Sequence, residues 1–263
     1  MPNGGAKGRA GKARPFAQQS PGRVIWENVK GLGGVLVFFL LFRTFVAEAY
    51  RIPSGSMIPT LLVGDWLFVN KMTYGAHVPF TASRLPGYRE PQRGDVVVFV
   101  SPYQADEAAR GADPTPTLVK RLMGVGGDTL YMRDGKLYVN GARERRPASA
   151  VDPMRQTPRA PDYPDPAFAW QRTVAIQGSR FGPPPREPTH DNWGPIVVPA
   201  GHLFMMGDNR YDSKDSRYWG FVPRENVRGR PMFVYYSYNA DDSDRPLPFI
   251  TDIRWSRIGS WIR

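Results

Sequence analysis

Residues 52–61 read IPSGSMIPTL, and they come directly after a long apolar run. Two serines, Ser54 and Ser56, flank Gly55, and a proline lies near each end of the stretch. The prolines fix φ and exclude a regular helix, whereas Gly55 permits backbone conformations that are closed to other residues. The pattern is typical of a linker, but it also suits a rigid turn that presents a serine hydroxyl. Both interpretations stay open on this stretch alone.

The apolar run before this stretch indicates a membrane anchor. Residues 31–42 carry no charge, and the run continues past Arg43 to Ala47. As a helix, residues 31–47 cover about 26 Å, which just spans a bilayer core if the Arg43 side chain extends to the interface. A cleaved secretory signal has a similar basic flank and apolar core, and residues 47–49 imitate a cleavage site. The charged boundary that follows favours an uncleaved anchor, which we place at residues 24–48.

The charge distribution predicts the orientation of this anchor. The formal net charge is +11, and residues 1–30 hold six Lys or Arg and one Glu. A basic flank before an apolar helix marks the cytoplasmic side, so the N-terminus is expected in the cytoplasm and the later residues on the outer face. Residues 1–23, rich in Gly, Ala, Lys and Arg, are predicted to be disordered. The sequence has no recognisable base-reading module, so no nucleic-acid partner is predicted.

The rest of the sequence predicts a mainly β domain formed by residues 49–141 and 200–263. Residues 93–102 read as a turn and a β-branched strand buried on both faces, and Asp134-Gly135 between alternating β-formers indicates a hairpin. Residues 142–199 hold twelve prolines, too many for a regular sheet or helix bundle. We therefore predict a Pro-rich insertion, or cap, on the main domain.

A serine on a rigid turn suggests nucleophilic catalysis, which requires a base. The chain holds three histidines, His77, His190 and His202, and each is expected to be a surface or structural residue. They show no metal-ligand spacing and the chain has no cysteine, so no metal and no cofactor are predicted. Lys120 lies in an apolar strand, where burial could lower its pKa enough for it to act as base. An edge-strand lysine that discourages aggregation is an equal alternative.

Four stretches, in order, resemble bacterial type I signal peptidases. They are FRTFVAEAYRIPSGSMIPTL (42–61), RGDVVVFVSP (93–102), VKRLMGVGGD (119–128) and GDNRYDSKDSRYWGFVP (207–223), roughly a quarter of the chain. The resemblance implies a membrane-bound serine endopeptidase that removes signal peptides from translocated preproteins. It implies a signal-peptidase-like antiparallel β domain on a single transmembrane helix, on the outer or periplasmic face of the bacterial cytoplasmic (inner) membrane. Translocation machinery would lie nearby, and direct contact with it stays open.

The same resemblance implies roles for individual residues. Ser56 would be the nucleophile, and Lys120 the general base and later the acid toward the leaving amine. The N–H of Ser56 and the hydroxyl of Ser54 would form the oxyanion hole. Ser213 would hydrogen-bond the lysine amine and orient it.

Further residues are expected to support the site or to contact substrate and membrane. The charged residues with a supporting role would be Asp208, Arg210, Asp215 and Arg217. Shallow pockets for small substrate side chains are expected near Ile52, Met57, Leu118 and Val119. The bilayer is expected to contact exposed apolar residues close to the span, namely Leu61, Leu62, Trp66 and Phe68, and a place in the core is an equal alternative for Leu61 and Leu62. After Gly-Asp-Asn-Arg the family usually has an acidic residue and Asn, whereas this sequence has Tyr211-Asp212. The difference bears on how this loop packs and not on the assignment of the site residues.

Two other functions remain as alternatives. A self-cleaving repressor-type peptidase uses the same serine–lysine chemistry, but it needs a DNA-binding headpiece and a soluble chain. A membrane-anchored binding module would use the positive charge to dock anionic lipid or nucleic acid, and its serine would be dispensable.

Overall fold

The computed structural model describes residues 21–81, 83–144 and 162–263. The predicted disordered tail lies outside the described residues except for residues 21–23, and so does much of the predicted cap. The part of the first helix before Phe42 forms one compact unit, and residues 42–263 form a second.

The N-terminal helix, α1, runs over Pro21–Phe45. Within it, Ile25–Phe45 is long and apolar enough to cross a membrane, judged by length and composition. The helix ends before the predicted anchor boundary at residue 48, because Ala47 already begins a strand. Lys71 holds this end of the helix by donating from Nζ to the carbonyl oxygens of Arg43 and Thr44, at 3.1 and 3.3 Å.

The second unit is built on a seven-stranded antiparallel sheet, and the predicted mainly β fold is confirmed. Its strand order is β1-β2-β11-β3-β4-β9-β10. The strands are β1 (Ala47–Arg51), β2 (Asp65–Asn70), β3 (Val96–Val100), β4 (Thr117–Val125), β9 (His202–Met206), β10 (Val222–Pro223) and β11 (Val227–Ser237).

A four-stranded antiparallel sheet, of order β7-β6-β5-β8, packs beside the first. It consists of β5 (Thr129–Arg133), β6 (Lys136–Val139), β7 (Ala142–Arg143) and β8 (Trp193–Val197). The predicted hairpin is confirmed, since Asp134 and Gly135 join β5 to β6 with φ of 49° and 70°. Strand β8 belongs to the predicted cap, residues 142–199, but it pairs with β5 of the main domain. Among the described residues, the structure therefore has no domain boundary at residue 199.

Short helices connect these strands. They are α2 (Ala105–Ala109), α3 (Gln171–Val174), α4 (Ser216–Trp219) and α5 (Pro248–Thr251). One of the short 3-10 turns is Gly55–Met57, which contains Ser56.

Strand β3 lies inside the large sheet and is buried on both faces, as its β-branched sequence predicts. Val96 and Val98 pack in one apolar cluster, whereas Val97 and Phe99 pack in another. Strand β4 pairs with β3 and places Lys120 opposite Val97. The lysine therefore stands on a strand with apolar neighbours, away from the edges of the sheet.

Candidate active site

The turn Gly55–Met57 presents Ser56 toward the sheet. Ser54 precedes the turn in an extended conformation, with φ of −138° and ψ of 156°, and is exposed. Ser56 is only 9% exposed and Met57 only 1%, and the Met57 side chain packs the turn against the apolar core. The Ile58 N–H donates to the Gly55 carbonyl at 3.0 Å and closes the turn.

The side chains of Ser56 and Lys120 meet in a buried hydrogen bond. Lys120 Nζ contacts Ser56 Oγ across 64 residues of sequence, and Lys120 is 4% exposed. The structure thus brings the nucleophile and base of the resemblance together. The edge-strand alternative for Lys120 is excluded, because β4 is flanked by β3 and β9 and is not an edge strand.

Burial lowers the pKa of the Lys120 amine from its usual 10.5 to about 8. Desolvation is the largest cause, because the low-dielectric interior disfavours the ammonium. The carboxylates of Asp215, Asp212 and Asp208 act in the opposite direction and favour the ammonium, while Arg217 disfavours it. At pH 7 a pKa of about 8 leaves roughly a tenth of the amine neutral, far more than for an exposed lysine, and the neutral fraction grows as the pH rises.

Asp215 organises the loop that covers this pair. Its Oδ2 accepts from Ser213 Oγ at 2.9 Å and from the Gly207 N–H at 3.0 Å, and both carboxylate oxygens accept from Arg217. Burial would raise the pKa of Asp215, but Arg217 and the Gly207 N–H hold it below its usual value. The hydroxyl of Ser213 thus donates to Asp215, and its predicted bond to the lysine amine stays a prediction.

Asp208 pairs with Arg121, the residue that follows Lys120 on β4. Arg121 donates from Nε and Nη2 to the two carboxylate oxygens of Asp208, each at 2.6 Å. Thr60, at the end of the serine stretch, donates to the same carboxylate at 2.6 Å. This pair therefore links the nucleophile stretch, β4 and the loop that follows β9.

Arg210 also finds a partner that the sequence pattern did not reveal. Its Nη1 and Nη2 donate to the carboxylate of Glu144 at 2.8 and 2.6 Å, and its Nε donates to the Gly207 carbonyl at 3.1 Å. Glu144 directly follows the short strand β7, and nothing in its sequence neighbourhood marks it as a partner of Arg210.

Asn209 joins the loop directly to the turn that contains Ser56. Its N–H donates to the Ser56 carbonyl at 3.1 Å and its side-chain amide to the Gly55 carbonyl at 3.2 Å. Gly207 lies between the two serines, because a Cβ there would stand 2.2 Å from Ser213 Oγ and 2.5 Å from the Ser56 carbonyl oxygen. The loop therefore contacts the turn too closely to admit a side chain at residue 207.

His190 has a structural role, as expected. Its Nε2 lies 2.7 Å from the Arg210 carbonyl oxygen and also contacts Arg217 Nη1, while its ring stacks on Tyr211. Burial and the charge of Arg217 lower the pKa of His190, so the ring is neutral at neutral pH. The histidine supports the loop from the side of the predicted cap.

The four expected pocket residues divide between two clusters. Ile52 and Met57 are buried in one apolar cluster, and Val119 packs against it. Leu118 packs against the cluster on the other side of the sheet, because neighbouring residues of a strand point to opposite faces. Val119 directly precedes Lys120 and is partly exposed. It packs against the cluster that contains Met57 of the serine turn, which Leu118 does not.

The residues expected to contact lipid do not all reach the surface. Leu61 is fully buried and packs in the same cluster as Met57, so of its two expected positions, lipid-facing or core, the structure shows the core. Leu62, Trp66 and Phe68 are partly exposed. Among residues 21–81, 83–144 and 162–263, no group of three or more His, Cys, Asp or Glu is placed to hold a metal ion.

Comparison with known proteins identifies the family. The family model described as signal peptidase, peptidase S26, matches residues 25–236. The chain belongs to this family. It is therefore a signal peptidase, a hydrolase of peptide bonds.

Curated relatives cover most of the chain. Signal peptidase I of Pseudomonas fluorescens is 35% identical over 245 residues, which are 89% of this chain and 78% of the relative. Signal peptidase I of Leptolyngbya laminosa is 33% identical over 233 residues, 86% of this chain and 88% of the relative. A solved signal peptidase I from Enterococcus faecalis V583 is 28% identical and covers 54% of this chain and 97% of its own, with a TM-score of 0.31.

The close contact at Gly207 yields the first prediction for this signal peptidase. Gly207→Ala should lower kcat/KM on the order of a hundredfold, because the added methyl must displace Ser213 or the turn that holds Ser56. The measurement is cleavage of a peptide substrate by the purified full chain.

Gly201→Ala is the matched control, since a Cβ at Gly201 meets nothing within 4 Å. This variant should keep its activity and lose only stability, because φ at Gly201 is 73°. Equal activity of the two variants would contradict the contact described.

Proposed function

We propose that this chain cleaves signal peptides from translocated preproteins, with Ser56 as nucleophile and Lys120 as general base. The observation that carries the proposal is the hydrogen bond between these two buried side chains. The names of the relatives, signal peptidase I, support signal peptides as the substrate.

The first chemical step follows from the neutral state of the lysine. Lys120 accepts the proton of Ser56 Oγ, and Oγ attacks the scissile carbonyl carbon to form a tetrahedral intermediate. The N–H of Ser56 and the hydroxyl of Ser54 would donate to the oxyanion. The exposed position of Ser54 just before the turn supports this role, because its hydroxyl can meet a substrate that lies across the turn.

Collapse of the intermediate uses the same lysine as an acid. The ammonium of Lys120 donates its proton to the leaving amine, and the new N-terminus of the mature protein departs. A water molecule then attacks the acyl–Ser56 ester while Lys120 accepts one of its protons. When this second intermediate collapses, the bond from the acyl carbon to Oγ breaks, Lys120 returns the proton to Oγ, and the signal peptide leaves with a free carboxyl group. The negative charge of Asp215 stabilises the ammonium formed in each half-reaction, so Asp215 supports the cycle without touching substrate.

Signal peptides lie in the membrane, and the proposed placement of the enzyme matches this. Helix α1 would anchor the chain in the bacterial cytoplasmic membrane with the N-terminus inside and the β domain on the outer face. Aromatic side chains on one face of β2 and β11 form a continuous row that would rest on the bilayer. They are Trp66, Phe68, Phe233 and Tyr235, with ring centroids 4.6 to 6.3 Å apart, and Trp261 extends the row.

Removing either member of the dyad should abolish cleavage without unfolding the protein. Ser56→Ala and Lys120→Met should each lower kcat by at least about a thousandfold, because the nucleophile or its base is lost. The measurement is processing of a secretory precursor by detergent-solubilised full chain, together with the thermal unfolding midpoint.

Lys136→Met is the control for Lys120→Met, since Lys136 is an exposed strand lysine. It should leave processing intact. Cleavage retained by Ser56→Ala or Lys120→Met would exclude the dyad, and the binding-module alternative predicts that Ser56→Ala changes nothing.

The pH dependence of the reaction should report the lowered pKa of Lys120. Below about pH 8 the amine is increasingly protonated, so kcat/KM should fall about tenfold per pH unit on the acid side. Asp212→Asn should move this acid limb to lower pH, because the Asp212 carboxylate favours the ammonium.

Asp244→Asn removes an exposed carboxylate from a distant loop and should leave the limb in place. The measurement is the pH–rate profile of each variant with a peptide substrate. An acid limb near pH 10 in the wild type would argue against a desolvated lysine as base.

Membrane orientation can be tested with single cysteines, because the natural chain has none. In intact cells, an impermeant maleimide should label Asp244→Cys, whereas Lys7→Cys should be labelled only after the membrane is disrupted. Labelling of Lys7→Cys from outside would reverse the proposed orientation.

A further inference from the structure

A cavity of about 460 Å³ lies at the end of the aromatic row, and neither Ser56 nor Lys120 lines it. Arg230 and Arg263 supply positive charge at its walls, and none of the described residues that line it has a carboxylate side chain. The remaining lining residues combine polar donors with apolar surface: Asn70, Thr73, Tyr88, Pro231, Met232, Trp261 and Ile262. Positive charge, donors and apolar walls together suit an amphiphilic anion.

The charge of Arg230 is only weakly compensated by protein groups. Its nearest ion-pair contact is Asp95 Oδ1 at 3.8 Å, and about a third of its side chain is exposed. Asp95 bonds more closely to Arg89 at 2.9 Å and also accepts from Tyr74 at 2.9 Å. Arg230 therefore keeps most of its capacity to bind an anion in the cavity.

Two hydroxyls at the rim of the cavity can supply a neutral donor. Tyr88 and Thr73 lie 2.9 Å apart, and the side-chain amide of Asn70 donates to the Tyr88 hydroxyl at 3.1 Å. Each of the two hydroxyls carries one proton, and their mutual hydrogen bond uses only one of these protons. The other can be donated to an acceptor in the cavity.

The cavity lies where the chain leaves the span. Asn70 pairs with Ala47, two residues after α1 ends, and Lys71 holds the last carbonyls of that helix. Trp261 on the cavity wall is 69% exposed and contacts the Phe233 ring. Tryptophan and arginine are enriched at the level of lipid headgroups, where one end of a side chain is apolar and the other is wet.

We propose that this cavity binds the phosphate of an anionic phospholipid headgroup. Arg230 and Arg263 would contact the phosphate, the Tyr88–Thr73 pair would donate to one of its oxygens, and Trp261 would pack against the acyl end. A zwitterionic headgroup binds less well, because its ammonium group meets two guanidinium groups. The inference rests on the membrane placement proposed above and adds a specific lipid ligand to it.

The test uses the full chain in neutral detergent and three probes. They are a short-chain phosphatidylglycerol, a phosphatidylcholine of the same chain length, and inorganic phosphate, each titrated calorimetrically against a blank of empty micelles. Wild type should bind phosphatidylglycerol saturably and at least about tenfold more tightly than either other probe. Arg230→Gln should weaken this binding about tenfold, since it removes a charge-assisted hydrogen bond.

Arg180→Gln is the matched control, because it removes the same charge from a residue that lies over the Phe181 ring and outside the cavity. It should leave the affinity unchanged. Tyr88→Phe, at a residue that is 70% exposed, should weaken binding about threefold without affecting the fold, which provides a second variant if Arg230→Gln unfolds.

Several results would overturn the proposal. They are absence of saturable binding, equal binding of phosphatidylcholine, and equal losses in Arg230→Gln and Arg180→Gln, which would indicate general positive charge. Binding of inorganic phosphate as tight as that of phosphatidylglycerol would indicate a free-anion site. Cleavage of a soluble peptide in lipid-free detergent, expected to be equal for wild type and Arg230→Gln, tests the catalytic proposal separately.

Discussion

The buried amine of Lys120 is the constraint on which the rest of the structure depends. An ammonium inside an apolar sheet is costly, and desolvation lowers its pKa to about 8. The two apolar clusters on either side of β3 exclude water from this part of the sheet. The same burial thus favours the neutral form of the amine, and Ser56 is the group that the amine contacts.

Three buried ion pairs hold the loop after β9 against that lysine. Asp208 pairs with Arg121, Arg210 with Glu144, and Asp215 with Arg217. Buried ion pairs contribute little net stability, because desolvation offsets their attraction, but breaking one leaves an uncompensated charge. Their effect here is positional: they fix Asn209 and Gly207 against the turn of Ser56.

The serine stretch lies close to the end of helix α1 because a single strand separates them. Strand β1 begins two residues after α1 and pairs with β2, and the serine stretch connects these two strands. Lys71 ties the end of the helix to the end of β2. Within residues 42–263, strand pairing and Lys71 therefore hold the short segment between the end of the helix and the serine stretch.

The sequence by itself determined the local elements: an apolar helix, a doubly buried strand at β3, an Asp-Gly hairpin, and a proline-bracketed serine turn. These follow from backbone preferences and side-chain periodicity, which act within a few residues. The sequence also placed Lys120 in an apolar strand, but it left two roles open for the lysine, a general base or an edge-strand residue that discourages aggregation. Only the tertiary structure decided that Lys120 meets Ser56, that Arg121 meets Asp208 87 residues away, and that Leu61 is buried. Periodicity fixes which way a side chain points, whereas the segment that covers it is decided by how distant strands and loops pack together.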